Sequence, residues 1–420
     1  MAEPRLCTRC VYPDNARPTI QFDDDGVCSG CRYIESRASV DWAMRWRILA
    51  DMLSEHQVRQ RHLGIPYDCI IPVSGGKDSH YQVYVAKQKL GLNPLLVTAN
   101  HTWNTPCGLA NLRNLVTRFG CDLVRFTISP ESARKVARWA LLEMGDITFA
   151  YHASIMCWPM RAAVQWRVPM VVWGEEGFSQ LTGMFQVKDE VEYTRWKTLQ
   201  HDQRGYDRED LIGRGDPGHE LTWRDVEWMR YPSVDEIESV GVRGIYLSNY
   251  LPWDAHAQAR AMHERYGFGL MPFRYRSYRT YSKTDDAAND VHDLLKFLKF
   301  GYGRGTDDAS EDIRYGRLNR HDGLELSAFL DRQMTPLWRE LLGLVDVPED
   351  RLLIRLGELA DGGAAAVEQR WQALQVASRM SFRAAYPALY AHLEHGRPLW
   401  TGEIGAIDGN SYAGSYMGVL

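Results

Sequence analysis

Residues Tyr67-Asp68-Cys69-Ile70-Ile71-Pro72-Val73-Ser74-Gly75-Gly76-Lys77-Asp78-Ser79 decide the fold. The first seven form an apolar run of strand length, and His80-Tyr81-Gln82-Val83-Tyr84-Val85-Ala86-Lys87 reads as the opening turns of a helix. Strand, glycine turn and helix together present free backbone N–H groups and the positive end of a helix dipole to an anion. Gly75 and Gly76 permit close backbone approach and left-handed dihedrals. Ser74 and Ser79 add hydroxyl donors, and Lys77 adds a mobile cation. The stretch predicts a phosphate-holding loop. It departs from the G-x-x-x-x-G-K-[ST] pattern, because Asp78 follows the lysine. The plain alternative is an ordinary glycine turn after a strand.

Outward from this stretch the apolar runs keep alternating between strand and helix. Strands are predicted at 94–99, 123–128, 168–174 and 244–248, with helices near 80–90, 111–119, 131–144, 152–166 and 254–266. That order predicts an α/β fold, a parallel sheet with helices on both faces. Ligands of such sheets bind beyond the carboxyl ends of the strands. The loop, Asn100-His101-Thr102-Trp103 and Gly174-Glu175-Glu176 all fall there. Residues 178–231 are polar and irregular and read as an insertion or lid within a catalytic unit spanning 65–255. Residues 256–420 read as a mostly helical C-terminal region, alanine-rich near 360–380 and glycine- and serine-rich in the last twenty residues.

The N-terminus carries a second strong signal. Cys7-Thr8-Arg9-Cys10 and Cys28-Ser29-Gly30-Cys31 are two C-x-x-C knuckles with seventeen residues between them. Such spacing suits four thiolates around one tetrahedral Zn2+, a closed structural site. A disulfide pair and an iron–sulfur cluster are the alternatives. Residues 1–34 thus form a predicted zinc ribbon, with Pro13, Asp14, Asn15, Pro18 and Gly26 as turn formers. The periodic 40–62 segment predicts an amphipathic helix, within a linker of 35–64, that seats the ribbon on the main unit.

Composition narrows the function. The chain has 420 residues, 45% apolar and 25% charged, with net charge −5 and no long basic run, which counts against an extended nucleic-acid surface. No signal-type segment or run of about eighteen apolar residues is evident, so a cytoplasmic protein without a membrane span is expected. Eight cysteines, four of them in knuckles, agree with a reducing compartment.

The loop Ser74–Ser79 resembles the S-G-G-x-D-S signature of the PP-loop ATP pyrophosphatases. With the ribbon, Trp173-Gly174-Glu175-Glu176, Leu294-Leu295-Lys296-Phe297-Leu298-Lys299-Phe300-Gly301-Tyr302-Gly303-Arg304, Asp307-Asp308-Ala309-Ser310-Glu311-Asp312-Ile313-Arg314 and Arg320-His321-Asp322-Gly323, residues 5–335 are similar to the N-acetyl sugar amidotransferases of surface-polysaccharide and flagellin-glycan pathways. The resemblance implies an enzyme that uses ATP to adenylylate the acetamido carbonyl of a nucleotide-activated N-acetyl sugar and replaces its oxygen with ammonia-derived nitrogen. It implies that Ser74, Gly75, Gly76 and Ser79 hold pyrophosphate, that Lys77 neutralises phosphate charge, that Asp78 with Glu175 or Glu176 holds Mg2+, and that Asn100 and Gly174 meet the nucleotide. It also implies ammonia supply by a separate glutaminase through a barrel-type partner. Lys296, Lys299 and Arg304 read either as phosphate contacts or as a solvated helix face. Arg274, Tyr275, Arg276, Tyr278, Arg279, Tyr281 and Lys283 interleave cations and aromatics, as a phosphate- and sugar-lined cleft does, and as an exposed loop also can. Glu175 and Glu176 also suit a helix cap. Cys157 reads chiefly as a buried apolar residue, while His101 and His152 stay open. The rival functions are a tRNA-modifying PP-loop enzyme of thiolase type, a synthetase acting on a small carboxylate, and a nucleotide-binding scaffold without catalysis.

Overall fold

A computed structural model describes residues 4–100, 102–271 and 276–377. His101, Arg274, Tyr275 and the segment from 378 onward lie outside the described residues. Five parallel strands make the sheet: β1 (Cys69–Pro72), β2 (Pro94–Asn100), β3 (Asp122–Thr127), β4 (Met170–Trp173) and β5 (Arg243–Tyr246). Their order is β3-β2-β1-β4-β5, so β1 is central and the chain changes direction of winding there. Ile70 pairs with Leu95 on one side and Val171 on the other.

Side chains alternate across the sheet, as strand geometry requires. Cys69, Ile71, Leu96, Met170, Val172 and Ile245 pack on one face, and Ile70, Leu95, Val97, Val171, Trp173 and Tyr246 on the other. Helix α1 (Ser29–Ser36) starts within the second cysteine knuckle. The first face is covered by helix α2 (Trp42–His62) through Leu49 and Leu53, by α3 (Lys77–Tyr84) through Val83, and by α4 (Pro106–Phe119) through Leu112, Leu115 and Phe119. The second face is covered by α6 (Phe149–Trp166) through Met160, Ala162 and Ala163. Helix α5 (Pro130–Met144) packs with α6 at its flank. Helices Asn289–Phe300, Leu337–Leu344 and Glu349–Leu359 share one apolar cluster with Leu141 and Tyr151 of α5 and α6. The helical C-terminal region is therefore fused to the sheet layer.

Two expectations change. Helix α2 buries its apolar stripe on the sheet and does not seat the cysteine module. The module is held instead by Phe300 and Tyr302, by Asn15 donating to the Phe300 carbonyl at 3.0 Å, and by Arg320 donating to the carbonyls of Cys7 and Cys10 at 3.2 and 3.1 Å. The polar 178–231 stretch lies at the sheet end at its start alone, where Gln180 and Leu181 reach the ligand cavity. Leu211, Leu221, Val226, Trp228 and Met229 punctuate it and bury against Val136, Trp139 and Phe149, which docks most of it beside α5 and α6.

Candidate active site

Strand β1 delivers the loop to the carboxyl edge of the sheet, where it opens into a cavity of about 450 Å³. The loop is internally braced. The Ser74 N–H donates to the Ser79 hydroxyl at 3.0 Å, and the Gly76 N–H to the Ser74 hydroxyl at 3.4 Å. Of the two glycines only Gly75 is left-handed, at φ 92°, and a Cβ there would meet the Gly108 carbonyl at 2.3 Å. Gly76 is extended and caps α3, so helix geometry already begins at Lys77. The first N–H groups of α3 therefore lie at the cavity, as an anion site requires.

Ser74, Gly76, Lys77, Asp78, Ser79, Asn100, Gly174 and Glu175 all line this one cavity. Asn100 ends β2 and is fixed by accepting from Arg125 and from Asn104 at 3.0 Å and by donating to Thr127 at 3.2 Å. Gly174 leaves room for the Trp253 ring and Gln82, either of which a Cβ would meet within 3.2 Å. Lys77 Nζ donates to Asp78 at 2.6 Å. Burial works against charge on Lys77, but the carboxylates of Asp78 and Glu175 outweigh it and hold the ammonium pKa above its ordinary value. Burial, reinforced by Asp78, pushes the Glu175 carboxyl up to about 8.

Four of the predicted site residues are not among those lining the cavity: Gly75, whose backbone packs on the Gly108 carbonyl, and Glu176, Lys299 and Lys296. Glu176 turns away and caps helix α7 (Gly177–Thr182), accepting from the Ser179 N–H at 2.8 Å and hydroxyl at 2.7 Å, and pairs with buried Lys197 at 3.1 Å. It is a cap and not a cation ligand. Lys299 donates to the Met144 carbonyl at 2.9 Å, and burial lowers its pKa to about 8. Lys296 binds both oxygens of Asp307 at 2.8 Å and lies 4.3 Å from the centre of the Tyr302 ring. Arg304 does reach the cavity, anchored by a two-point contact to Asp293 at 3.0 Å. Cys157 is buried, and its thiol is pushed up to about 12 by that burial, which fits an inert core residue.

The opposite wall comes from the C-terminal region. Arg279, Tyr281 and Lys283 alternate into the cavity, while Arg276 and Tyr278 are buried behind it, Arg276 on the carbonyls of Gln333 and Asp331 and Tyr278 on Asp312. Asp285, Asp286 and Asn289 continue that wall, and Arg304, Asp307, Asp308 and Glu311 add one face of the helix Arg304–Arg314. The 304, 307, 308, 311 spacing is a helical stripe and carries the signal for Glu311. No periodicity marks Asp285 and Asp286. They are placed by long-range backbone pairing of Thr105 with Asp285 at 3.2 Å and of Ala287 with Trp103 at 2.9 Å. His152 also lines the cavity, with its pKa lowered to about 3 by burial. Among the described residues, seven carboxyl groups face four lysine and arginine side chains across the cavity. A bare polyphosphate would meet this acid-rich wall, whose charge a divalent cation would offset.

The four knuckle cysteines form a separate centre. All are buried, their sulfurs lie within 4.8 Å of one another, and the Cys7–Cys31 and Cys10–Cys28 separations are 3.9 and 3.6 Å. Tetrahedral thiolates at about 2.3 Å from one Zn2+ stand about 3.8 Å apart, so the set fits a single ion. It excludes disulfides, which need about 2.05 Å, and it is compact for a multi-iron cluster. Arg314 NH2 lies 3.5 and 3.8 Å from Cys28 and Cys10, as suits a thiolate-rich centre.

Comparison with known proteins adds three findings. Residues 273–353, which include the Arg279–Glu311 wall, match the family described as LPS biosynthesis protein WbpG-like, C-terminal domain. An uncharacterized protein of Methanocaldococcus jannaschii is 24% identical over 118 residues, 28% of this chain and 41% of that protein, so the match spans well under half of that relative. The solved NMN synthetase from Francisella tularensis aligns over 56% of this chain and 99% of its own at 13% identity, with a TM-score of 0.27. Among the described residues, no helix is long and apolar enough to cross a membrane.

Proposed function

We propose that the chain is an ATP-dependent amidotransferase acting on a nucleotide-activated N-acetyl sugar. The observation that carries this reading is the single cavity in which the Ser74–Ser79 loop, at the end of the central strand, faces the charged wall of residues 279–311. The loop end suits the phosphates of ATP and the opposite wall suits a polar acceptor. The LPS-biosynthesis description of the matched segment supports a surface-polysaccharide setting.

In this reading the acetamido oxygen attacks the α-phosphorus of ATP, and pyrophosphate leaves into the loop. The acetamido carbon now carries AMP as its leaving group. Ammonia adds to that carbon, the C–O bond breaks, AMP departs, and the nitrogen sheds a proton to leave an acetamidino group. Lys77 and the α3 N–H groups offset charge on the leaving pyrophosphate. Asp78 and Glu175 would hold Mg2+, which supplies charge neutralisation on the phosphate oxygens. Asn100 and Gly174 border the nucleotide, and the four cysteines would hold a structural Zn2+. Ammonia would come from a separate glutaminase through a barrel-type partner. A tRNA thiolase chemistry that works through cysteines is disfavoured, because no described cysteine lines the cavity.

The test is incubation of the protein with ATP, Mg2+, ammonium and a panel of nucleotide-activated N-acetyl sugars, reading pyrophosphate and sugar mass. Sugar-dependent pyrophosphate with one oxygen replaced by NH is expected. Turnover with bulk tRNA and with none of the sugars overturns the proposal.

A further inference from the structure

The cysteine module meets the cavity wall through several side chains, Tyr12 donating to Asp307 at 2.5 Å among them, and one of these links, Arg314, also faces the sulfurs. Arg314 ends the helix that carries Asp307, Asp308 and Glu311. Its NH2 faces Cys28 Sγ at 3.5 Å and Cys10 Sγ at 3.8 Å, while its NH1 donates to the carbonyls of Gln180 at 2.7 Å and Leu181 at 2.9 Å. Gln180 and Leu181 belong to α7 and line the cavity, and Glu176 alone separates Glu175 from the start of α7.

The same two elements meet a second time. The Ser29 hydroxyl donates to the Thr182 carbonyl at 2.5 Å. A Cβ on Gly30 would sit 2.5 Å from the Arg314 guanidinium and 2.8 Å from the Leu181 carbonyl, so knuckle, guanidinium and α7 are in direct packing. Helix α7 has six residues and too few internal hydrogen bonds to hold itself in place. Its last carbonyls are satisfied from outside, by a guanidinium whose other edge faces thiolate charge.

We infer that Arg314 is a positioning residue that transmits the metal-bound state of the four cysteines to the α7 wall of the nucleotide cavity. A four-thiolate Zn2+ centre carries net negative charge, and the planar guanidinium balances it with one edge while clamping two carbonyls with the other. A lysine ammonium cannot span both edges. With the four cysteines unmetallated, that anchor weakens, and α7, Glu175 and the cation-binding end of the cavity lose their fixed position. The inference rests on reading this cavity as the ATP site.

The test uses the full chain, its Arg314→Lys and Arg314→Gln variants, and wild-type protein stripped by a chelator. Zinc per chain, equilibrium affinity for Mg–ATP and hydrogen exchange of residues 177–183 are measured, with exchange in β1–β5 as the folding control. Both variants keep their four cysteines and are expected to retain zinc. They should bind Mg–ATP more weakly than the wild type, read as a rise in Kd. Exchange at 177–183 should quicken in both. Stripping the wild type should quicken the same segment, and stripping Arg314→Gln should add less there than it does in the wild type, the Ser29 contact being the one left to lose. Wild-type exchange and affinity in Arg314→Gln overturn the inference. So does an equal gain in exchange when wild type and variant are each stripped. A wild type that binds no Mg–ATP removes the ATP reading instead, and the exchange comparison still decides the role of Arg314.

Discussion

Glu175→Gln tests how the cavity is charged. Glu175 follows β4, beside Asp78 and Glu311, and burial with those neighbours lifts its pKa from 4.5 to about 8. The unfolded chain releases this proton near 4.5, whereas the folded chain keeps it until about 8. The folded state therefore binds more protons between those values, and this group lowers stability progressively as pH rises from 4.5 to 8. Below 4.5 it contributes nothing, and above 8 the loss is complete. Each pKa unit is worth about 1.4 kcal/mol, so the full loss is of the order of 4–5 kcal/mol if no cation enters. Glutamine matches the neutral acid in shape and never ionises. Denaturation midpoints of wild type and variant, measured without divalent cations, should nearly coincide at pH 5 and diverge by pH 8.5, the variant being the more stable. Mg–ATP should reverse the order at pH 8.5, because the ionised carboxylate gains a ligand role that the amide lacks. A stability difference that stays constant from pH 5 to 8.5, or a variant that weakens as the pH rises, refutes the charge reading.

Lys77→Ala should abolish pyrophosphate release while leaving zinc content unchanged, because Lys77 faces the cavity and the cysteines lie in a separate cluster. Full pyrophosphate release by that variant would remove the loop from the chemistry. Glu176→Ala leaves the buried Lys197 with Asp202 at 3.7 Å as its carboxylate partner and uncaps α7, and should cost at most about 3–5 kcal/mol in denaturant titration, with Mg2+ affinity changed far less than in Glu175→Gln. Lys299→Met should leave Mg–ATP affinity untouched, since that ammonium is spent on the Met144 carbonyl. Burial holds the Lys299 pKa at about 8 against 10.5. Charging it in the fold is thus a penalty that is complete below pH 8 and fades by 10.5. The stability of Lys299→Met relative to wild type should accordingly fall across that window.

The central part of the site was legible because local chemistry dictates it. A strand, two glycines and a helix start have one geometry that exposes N–H groups, and the paired knuckles have one spacing that closes on an ion; each signal is confined to its own short stretch of sequence. The strand–helix alternation likewise predicts the parallel sheet, because each strand carries apolar residues on both faces. Where the reading stopped, the cause was direction rather than residue type. Lys296, Lys299 and Arg304 share one short segment of sequence, yet only Arg304 faces the cavity. The first two are turned by the Asp307 carboxylate and the Met144 carbonyl, partners eleven and 155 residues away. Glu175 and Glu176 are adjacent and chemically alike, and backbone rotation sends one to the cavity and the other to the α7 N–H groups. Arg314 shows the same limit from the other side. It was visible as one more charge in an acidic stretch, and only the fold sets it between a thiol cluster near residue 28 and two carbonyls near residue 180. Charged side chains become specific through what they meet. For Lys299 and Arg314 those meetings are contacts more than a hundred residues apart, which no local pattern encodes.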